Sequence, residues 1–181
     1  MPGIVGIISK HGSSTEWRPL IQSMVESMTH EVFYVSGTYI NEELGLWSGW
    51  ICHQGAFEDC LPIWNEKKDI CLLFSGEDFA DQADIDALRT RGHEFGSDDA
   101  GYLVHLYEEM GCEFLEKLNG WFSGVLLDLR AQKVVLFNDR YGVNRLYYHE
   151  DASGFYFSSE AKALLKVTFL LHRLAPGKNP R

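Results

Sequence analysis

The sequence lacks a long apolar run and an excess of positive charge. No apolar run approaches the roughly 18 residues of a membrane-spanning helix, and the start lacks the basic and apolar segments of a signal peptide. The chain carries 16 Lys and Arg against 26 Asp and Glu, a formal net charge of -10 at pH 7. That charge disfavours contact with nucleic-acid phosphates. We therefore expect a cytoplasmic protein that binds neither nucleic acid nor membrane.

Metal-binding motifs are also missing. The acidic run from Glu77 to Asp86 lacks the central glycine and terminal glutamate of an EF-hand, which indicates a solvated loop leading into a short helix capped near Asp84. The four cysteines form no C-x-x-C pair, and no histidines follow them at the spacing of a zinc site. We expect them to be reduced and packed as small apolar side chains. The sequence thus predicts no metal and no cofactor; the cysteines are Cys52, Cys60, Cys71 and Cys112.

One hairpin indicates a layered fold. Two apolar runs, Trp121 to Leu129 and Val134 to Asn138, flank the polar turn from Arg130 to Lys133. Because apolar side chains occur on both faces of both strands, including Trp121, we expect the hairpin to be covered on both sides. The 181 residues are enough for one domain with its own core.

The other elements follow from periodicity. Residues 15–28 repeat apolar side chains at helical spacing, and Thr15 is a candidate cap. Residues 1–8 form an almost wholly apolar strand, and such a strand at a terminus is expected to be held inside a sheet. Two strands are predicted within residues 33–53. A further helix begins near residues 96–99, and His105 within it is expected to be packed or hydrogen-bonded.

Several segments in the second half of the chain share a pattern with a known family. They are Leu118–Gly120, Asp128, Asp139–Gly142, Leu146–Tyr148 and Ser158–Leu164, with Arg145 standing where the family usually has proline. At these positions the chain resembles the N-terminal, class II glutamine amidotransferase domain of asparagine synthetases. The resemblance implies an α+β fold of four layers, αββα, with two stacked and mainly antiparallel sheets flanked by helices. This is the N-terminal-nucleophile (Ntn) hydrolase-like fold.

The same resemblance sets the expected domain limits. It implies an amidotransferase type 2-like domain over residues 1–165 and a C-terminal tail over residues 166–181, where a synthetase domain would otherwise follow. The S-G-G-x-D-S pyrophosphate loop of that synthetase half does not occur in the sequence. The acceptor half would then be another chain, have been removed, or not exist.

The resemblance also locates the reaction. In the family, the second residue is a cysteine that attacks the side-chain amide of glutamine, with its own α-amine as base. This chain has Pro2 at that position, which offers no side-chain heteroatom. If Met1 is removed, the secondary amine of Pro2 could act as a general base or form an iminium with a carbonyl compound. The alternative is a proline tolerated at the first residue of a strand.

Other parts of the family's glutamine site are kept only in part. Ser75 replaces the asparagine that forms the oxyanion hole with the amide of the next glycine, whereas Gly76 and Glu77 match the family. Glu77 and Asp99 correspond to acids that hold the substrate's amino group, although Asp99 is also explained as a helix cap. The arginine that binds the α-carboxylate has no counterpart, because residues 19–88 contain no arginine.

Three functions are compatible with these substitutions. The first is a glutaminase-like domain that has lost catalysis and serves as a structural, regulatory or docking module for a synthetase domain or subunit. The second is an active glutamine-hydrolysing domain of an asparagine-synthetase-like enzyme, either with cysteine at its native start or using the amine of Pro2. The third is a module that binds glutamine or another amine through Glu77 and Asp99.

Overall fold

Nine strands, four α-helices and one 3-10 helix make up the described part of this computed structural model, residues 2–10, 15–55, 61–96 and 100–174, with side chains up to Val167. None of these helices is long and apolar enough to cross a membrane. The strands are β1 (Gly3–Ser9), β2 (Tyr34–Asn41), β3 (Leu46–His53), β4 (Ile63–Trp64), β5 (Ile70–Asp78), β6 (Gly120–Asp128), β7 (Lys133–Asn138), β8 (Tyr147–Glu150) and β9 (Gly154–Ser158). The helices are α1 (Trp17–Met28), α2 (Gln82–Thr90), α3 (Tyr102–Met110), a 3-10 turn (Gly111–Glu116) and α4 (Ala161–Leu174).

The strands form two antiparallel sheets. One sheet has five strands in the order β2-β3-β1-β9-β8, and the other has four in the order β4-β5-β6-β7. Strand β1 lies at the centre of the first sheet, where Val5 is opposite Gly49 of β3 and Ser158 of β9. Its apolar side chains are accordingly buried, including Ile4 and Ile7. The prediction that the first strand is held inside a sheet is confirmed.

Three apolar clusters show that the sheets stack face to face between two helical layers. The middle cluster joins Ile4, Trp50 and Phe157 of the five-stranded sheet to Leu73 and Val125 of the four-stranded sheet. Helices α1 and α4 cover the outer face of the five-stranded sheet, and α2 and α3 cover that of the four-stranded sheet. This αββα order confirms the predicted α+β, Ntn-hydrolase-like architecture.

The hairpin of β6 and β7 is covered on both faces, as predicted. Phe122 and Leu126 belong to the cluster that includes helix α3, whereas Val125 faces the other sheet. Trp121 is the exception, because it is 44% exposed at the start of β6 and packs edge-on against Phe79, which is also exposed. The apolar pattern of the hairpin therefore describes burial correctly except at its open end.

Three helices begin at positions other than those predicted. Helix α1 begins at Trp17, and Thr15 precedes its N-cap position instead of capping it. Helix α2 is capped by Asp81, whose carboxylate accepts a hydrogen bond from the amide of Ala83 at 2.9 Å. Asp84 lies inside the first turn of α2, where an acid interacts with the helix dipole but does not cap. Helix α3 begins at Tyr102 with Gly101 at its N-cap, later than the predicted start near residues 96–99. Residues 97–99 lie outside the described residues.

Helix α4 crosses the domain boundary expected after Leu165. It runs from Ala161 to Leu174, and Val167 is fully buried in the same cluster as helix α1. The apolar helical period continues beyond residue 165, which agrees with a helix that runs on into the expected tail.

Two of the three described cysteines are buried. Cys52 and Cys71 lie between the sheets, and burial raises the pKa of the Cys71 thiol to about 12. Cys112 is exposed, with its sulfur 3.0 Å from Nζ of Lys133, which corrects the expectation that it is packed. Cys60 lies outside the described residues.

A buried carboxylate joins β5 to the helical layer. Asp78, the last residue of β5, accepts hydrogen bonds from the hydroxyl of Tyr102 in α3 and from the amide of Asn119 at 2.7 Å. Burial raises the pKa of Asp78, and these two hydrogen bonds oppose the rise. The ionised carboxylate therefore depends on both donors, and it links α3 to the sheet through one of them.

We expect Tyr102→Phe to lower the free energy of unfolding by about 1–3 kcal/mol at pH 7, because a buried charge loses a donor. The loss should be smaller at pH 4, since removing the hydroxyl raises the Asp78 pKa further and so penalises only the ionised form. Urea denaturation of the variant and wild type at the two pH values measures this loss of stability. The control is Tyr141→Phe, at a residue that is 84% exposed, and it should change stability by less than about 0.5 kcal/mol. Equal effects of the two substitutions would contradict this role of Asp78.

Candidate functional site

A cavity of about 310 Å³ is lined by residues from both sheets. The five-stranded sheet contributes residues next to the ends of β1 and β9, the four-stranded sheet contributes two serines, and the segment before β8 closes one side. The cavity brings together two predicted site residues, Pro2 and Ser75. Its lining residues are Pro2, Ser75, Ser123, Val143, Asn144, Arg145, Tyr147, Ser159 and Glu160.

Pro2 is positioned by reciprocal hydrogen bonds between β1 and the end of β9. The amide of Ser159 donates to the carbonyl of Ile4 at 2.8 Å, and the amide of Ile4 donates to Oγ of Ser159 at 3.0 Å. Gly3 lies between Pro2 and Ile4, and a Cβ on it would be only 2.6 Å from the Cβ of Ser159. This close approach of the two strands therefore needs glycine. Pro2 is thereby held at the cavity wall, immediately before the strand begins.

Ser75 and Gly76 occupy the middle of the β5–β6 pair. Ser75 is buried and lies opposite Ser123, whose Oγ is 3.4 Å from Oγ of Ser159. Gly76 has a φ of +117°, and a Cβ there would lie 2.1 Å from the carbonyl oxygen of Trp121. Only glycine fits this backbone, which accounts physically for its match to the family pattern.

Of the two acids expected to bind an amino group, only Glu77 belongs to the described part of the chain. Glu77 is exposed near the end of β5 and is not among the residues that line the cavity. Asp99 lies outside the described residues. Their role as substrate-binding acids stays a prediction.

Two charged residues that sequence reasoning missed do line the cavity. Arg145 is exposed and forms no ion pair with any carboxylate among the described side chains. Glu160 is partly buried, and its carboxylate lies 3.1 Å from Nε2 of His30 and 3.0 Å from Nζ of Lys162. The sequence feature that marks Arg145 is its departure from the proline usual in the family. Glu160 lies in the segment Ser158–Leu164, which shares the family pattern but has no predicted role in the site.

The side-chain heteroatoms of the cavity wall are hydroxyls, an amide and one pair of opposite charges. Among the described residues, no cysteine and no histidine lines the cavity. The serine hydroxyls, a weak type of nucleophile unless a base accepts their proton, are those of Ser75, Ser123 and Ser159. Oγ of Ser159 is already the acceptor for the Ile4 amide. The wall is suited to hydrogen bonding and charge recognition.

One carboxylate organises the loop that carries Arg145. Oδ1 of Asp139 accepts from the amides of Tyr141 at 3.1 Å and Val143 at 2.9 Å, and Oδ2 accepts from the amide of Asn144 at 2.7 Å. Burial disfavours the charged form, but the amide hydrogen bonds outweigh burial and lower the pKa of Asp139. The Asn144 side chain then donates to the carbonyl of Trp121 at 3.1 Å, which fastens the loop to β6.

We expect Asp139→Asn to destabilise the protein by about 1–3 kcal/mol at pH 7, because an amide group cannot accept at both of its atoms. Since the folded-state pKa is lowered, the stabilisation is present above the unfolded pKa and is lost as pH falls through the folded value. The variant and wild type should therefore converge in acid. Chemical denaturation across pH tests this, with the exposed Asp86→Asn as control. A constant difference down to the lowest pH would contradict it.

Comparison with known proteins shows the family of the chain. A family model described as glutamine amidotransferase domain matches residues 1–176. A maize protein, "Asparagine synthetase [glutamine-hydrolyzing]", is 36% identical over 135 residues, which cover 65% of this chain and 22% of the maize protein. A probable asparagine synthetase [glutamine-hydrolyzing] of Dictyostelium discoideum is 28% identical over 181 residues, covering 98% of this chain and 32% of its own.

A solved structure supports the fold. Glutamine phosphoribosylpyrophosphate amidotransferase from B. subtilis, solved with ADP and GMP, superposes with a TM-score of 0.71 at 16% identity, over 92% of this chain and 43% of its own. The chain spans between a fifth and a third of the length of the asparagine synthetases named above. It belongs to the glutamine amidotransferase domain family and is similar to the glutaminase domain of asparagine synthetases.

Proposed function

We propose that this domain has lost covalent glutamine hydrolysis and serves as a docking or regulatory module for a synthetase domain or subunit. The observation that carries the proposal is Pro2 at the cavity wall, where the family has the attacking cysteine. Amide hydrolysis by this route needs a thiol or hydroxyl beside a base. Pro2 supplies no such side chain, and Ser75 supplies a shorter donor than the family's asparagine.

The first test measures glutamine hydrolysis. Wild type should release no ammonia from glutamine above buffer and should form no adduct with a glutamine-mimicking electrophile. Pro2→Cys should gain an adduct at residue 2, because the thiol enters the cavity. Adding Ser75→Asn to Pro2→Cys should raise the hydrolysis rate by about a hundred-fold to a thousand-fold, the usual effect of one oxyanion donor.

Pro2→Ala is the matched control, and it should behave as wild type. Intact mass shows in each variant whether Met1 is removed, which decides whether residue 2 carries the terminal amine. Conversion of glutamine to glutamate by wild type at a measurable rate would overturn the proposal. It would favour an active enzyme that uses the amine of Pro2 or a serine hydroxyl.

A docking role is supported by exposed apolar side chains around the cavity. Val143 and Tyr147, which line it, are 64% and 39% exposed, and Tyr141 in the same segment is 84% exposed. The exposed pair of Phe79 and Trp121 continues this surface, because the backbone of Trp121 binds the loop through Asn144. Exposed aromatic groups of this kind are typical of protein–protein contacts. The partner we propose is a synthetase domain or subunit.

The docking test uses the part of the Dictyostelium relative that the chain does not match, produced as a separate protein. Analytical ultracentrifugation should detect a complex with the wild-type chain. Trp121→Ala should weaken the complex by about tenfold or more, as expected for an aromatic interface residue. Leu165→Ala, which truncates another exposed apolar residue on helix α4, should leave it unchanged. Absence of a complex, or equal weakening by both variants, would count against docking.

Amino-acid binding is a second candidate, favoured by the pair of charges at the cavity. Arg145 and Glu160 line one space of about 310 Å³, which suits the carboxylate and ammonium groups of a free amino acid. The idea keeps the predicted ligand class but replaces Glu77 and Asp99 as the binding residues.

Calorimetry with glutamine, asparagine and aspartate tests this candidate. At least one ligand should bind, and Arg145→Gln should weaken it by about tenfold or more, since the guanidinium is a bidentate partner for a carboxylate. Arg140→Gln, an exposed arginine that does not line the cavity, is the control. Absence of heat with all three ligands would contradict amino-acid binding and leave the docking proposal untouched.

A further inference from the structure

A group of three metal-ligating side chains lies apart from the cavity, in the helical layer of the four-stranded sheet. Glu66 follows β4, His93 follows α2, and His105 is in the middle of α3. One ligand atom from each of the three lies within 4.8 Å of the others. None of the three lines the cavity described above. Because residues 66, 93 and 105 are separated by long and irregular intervals, no sequence motif predicts this group.

The ring of His105 is oriented by a carboxylate. Its Nδ1 lies 2.8 Å from Oε2 of Glu108, and the other oxygen of Glu108 accepts from Nδ2 of Asn65 at 2.8 Å. In the neutral ring, a proton on Nδ1 is donated to Glu108, and the lone pair is then on Nε2. This Nε2 lies 3.6 Å from Oε1 of Glu66. Two ligands of a tetrahedral zinc ion, each about 2.1 Å from the metal, lie about 3.4 Å apart.

The ring of His93 is held in the same way. Its Nε2 lies 2.9 Å from Oε1 of Glu109, whose second oxygen accepts from Arg91 at 2.8 Å. A proton on Nε2 leaves the lone pair on Nδ1. The rings of His93 and His105 are 4.7 Å apart between centroids. Nδ1 of His93 also lies 3.7 Å from Oε2 of Glu108, beyond hydrogen-bond distance. Each histidine thus has one nitrogen hydrogen-bonded to a carboxylate, His105 at 2.8 Å and His93 at 2.9 Å. This is the outer-shell arrangement usual for histidines that bind metal.

We propose that Glu66, His93 and His105 bind a divalent transition-metal ion, with zinc as the expected ion. The binding atoms are a carboxylate oxygen of Glu66, Nδ1 of His93 and Nε2 of His105. Two imidazoles and one carboxylate favour zinc over magnesium and calcium, which prefer ligands made only of oxygen. Three protein ligands leave one tetrahedral position for water. The ion would tie the β4–β5 turn, the segment after α2 and helix α3 together.

The competing explanation is an ionic hydrogen-bond network. If His93 and His105 are protonated, the same distances describe imidazolium groups between carboxylates, and no ion is needed. The two explanations differ in what zinc does. A metal site binds zinc with one defined stoichiometry and loses affinity when a ligand is replaced, whereas a protonated network has no dependence on zinc.

The test is isothermal titration calorimetry with zinc at pH 7.5, on chain purified without a histidine tag and treated with a chelator. We expect one zinc per chain. Glu66→Gln and His93→Gln should each lower the affinity by about tenfold or more. Both variants keep a polar side chain at positions that are exposed or partly exposed, whereas His105 is buried and is therefore left intact. His149→Gln, an exposed histidine of β8, is the matched control and should bind as wild type does.

Magnesium should give no binding heat at the same concentrations, and cobalt should give the visible absorption of a tetrahedral site. A chain that binds no zinc would overturn the proposal. Equal zinc affinity in wild type, Glu66→Gln and His93→Gln would also overturn it, because the zinc would then be bound elsewhere, for example by the exposed Cys112. Either result would assign the three residues to the ionic network. None of these readouts depends on glutamine or on the cavity.

Discussion

The pairing of β1 with both of its neighbours is the constraint on which the rest of the structure depends. Strand β1 is the central strand of the five-stranded sheet, and its side chains contribute to two of the three apolar clusters. Ile4 packs towards the other sheet. Val5 and Ile7 pack towards α1 and α4. The hydrogen bonds between Ile4 and Ser159 close its register with β9 at the cavity. The same pairing that builds the core therefore also positions Pro2.

This arrangement explains how a site residue can change while the fold persists. The residue before β1 has no ladder hydrogen bond to donate within the strand, so proline is tolerated there. Gly76 is different, because the backbone at φ +117° and the nearby carbonyl of Trp121 admit no side chain. The glycine is therefore a requirement of the fold, whereas the fold accepts a proline at residue 2. A match at Gly76 consequently carries little information about activity.

Much of the architecture could be predicted from local pattern, because burial in β1, α1 and the β6–β7 hairpin follows from apolar periods of two and 3.6 residues. The predicted helix ends are less accurate, because several nearby residues could serve as boundaries. Examples are the N-cap of α2 at Asp81 and the continuation of α4 past Leu165. The positions of Pro2 and Ser75 in one cavity came from resemblance to a family, because no local rule joins residues so far apart.

The charged residues of the cavity and the histidine cluster could not be predicted in that way. Arg145 and Glu160 face one space only because Asp139 shapes the loop that carries the arginine. His93 and His105 come together through the packing of the segment after α2 on helix α3. Such groupings depend on tertiary contacts, and neither periodicity nor a motif at fixed spacing encodes them.

The central place of β1 also has a consequence for the order of assembly during synthesis. Ile4 leaves the ribosome long before its partner Ser159, 155 positions later. Until β9 is made, β1 can pair with β3 alone, and one edge of an apolar strand is left open. For most of the translation of the domain, that open edge could pair with the strand of another chain. Closure of the sheet by β9 is therefore the late folding step at which a chaperone would matter most.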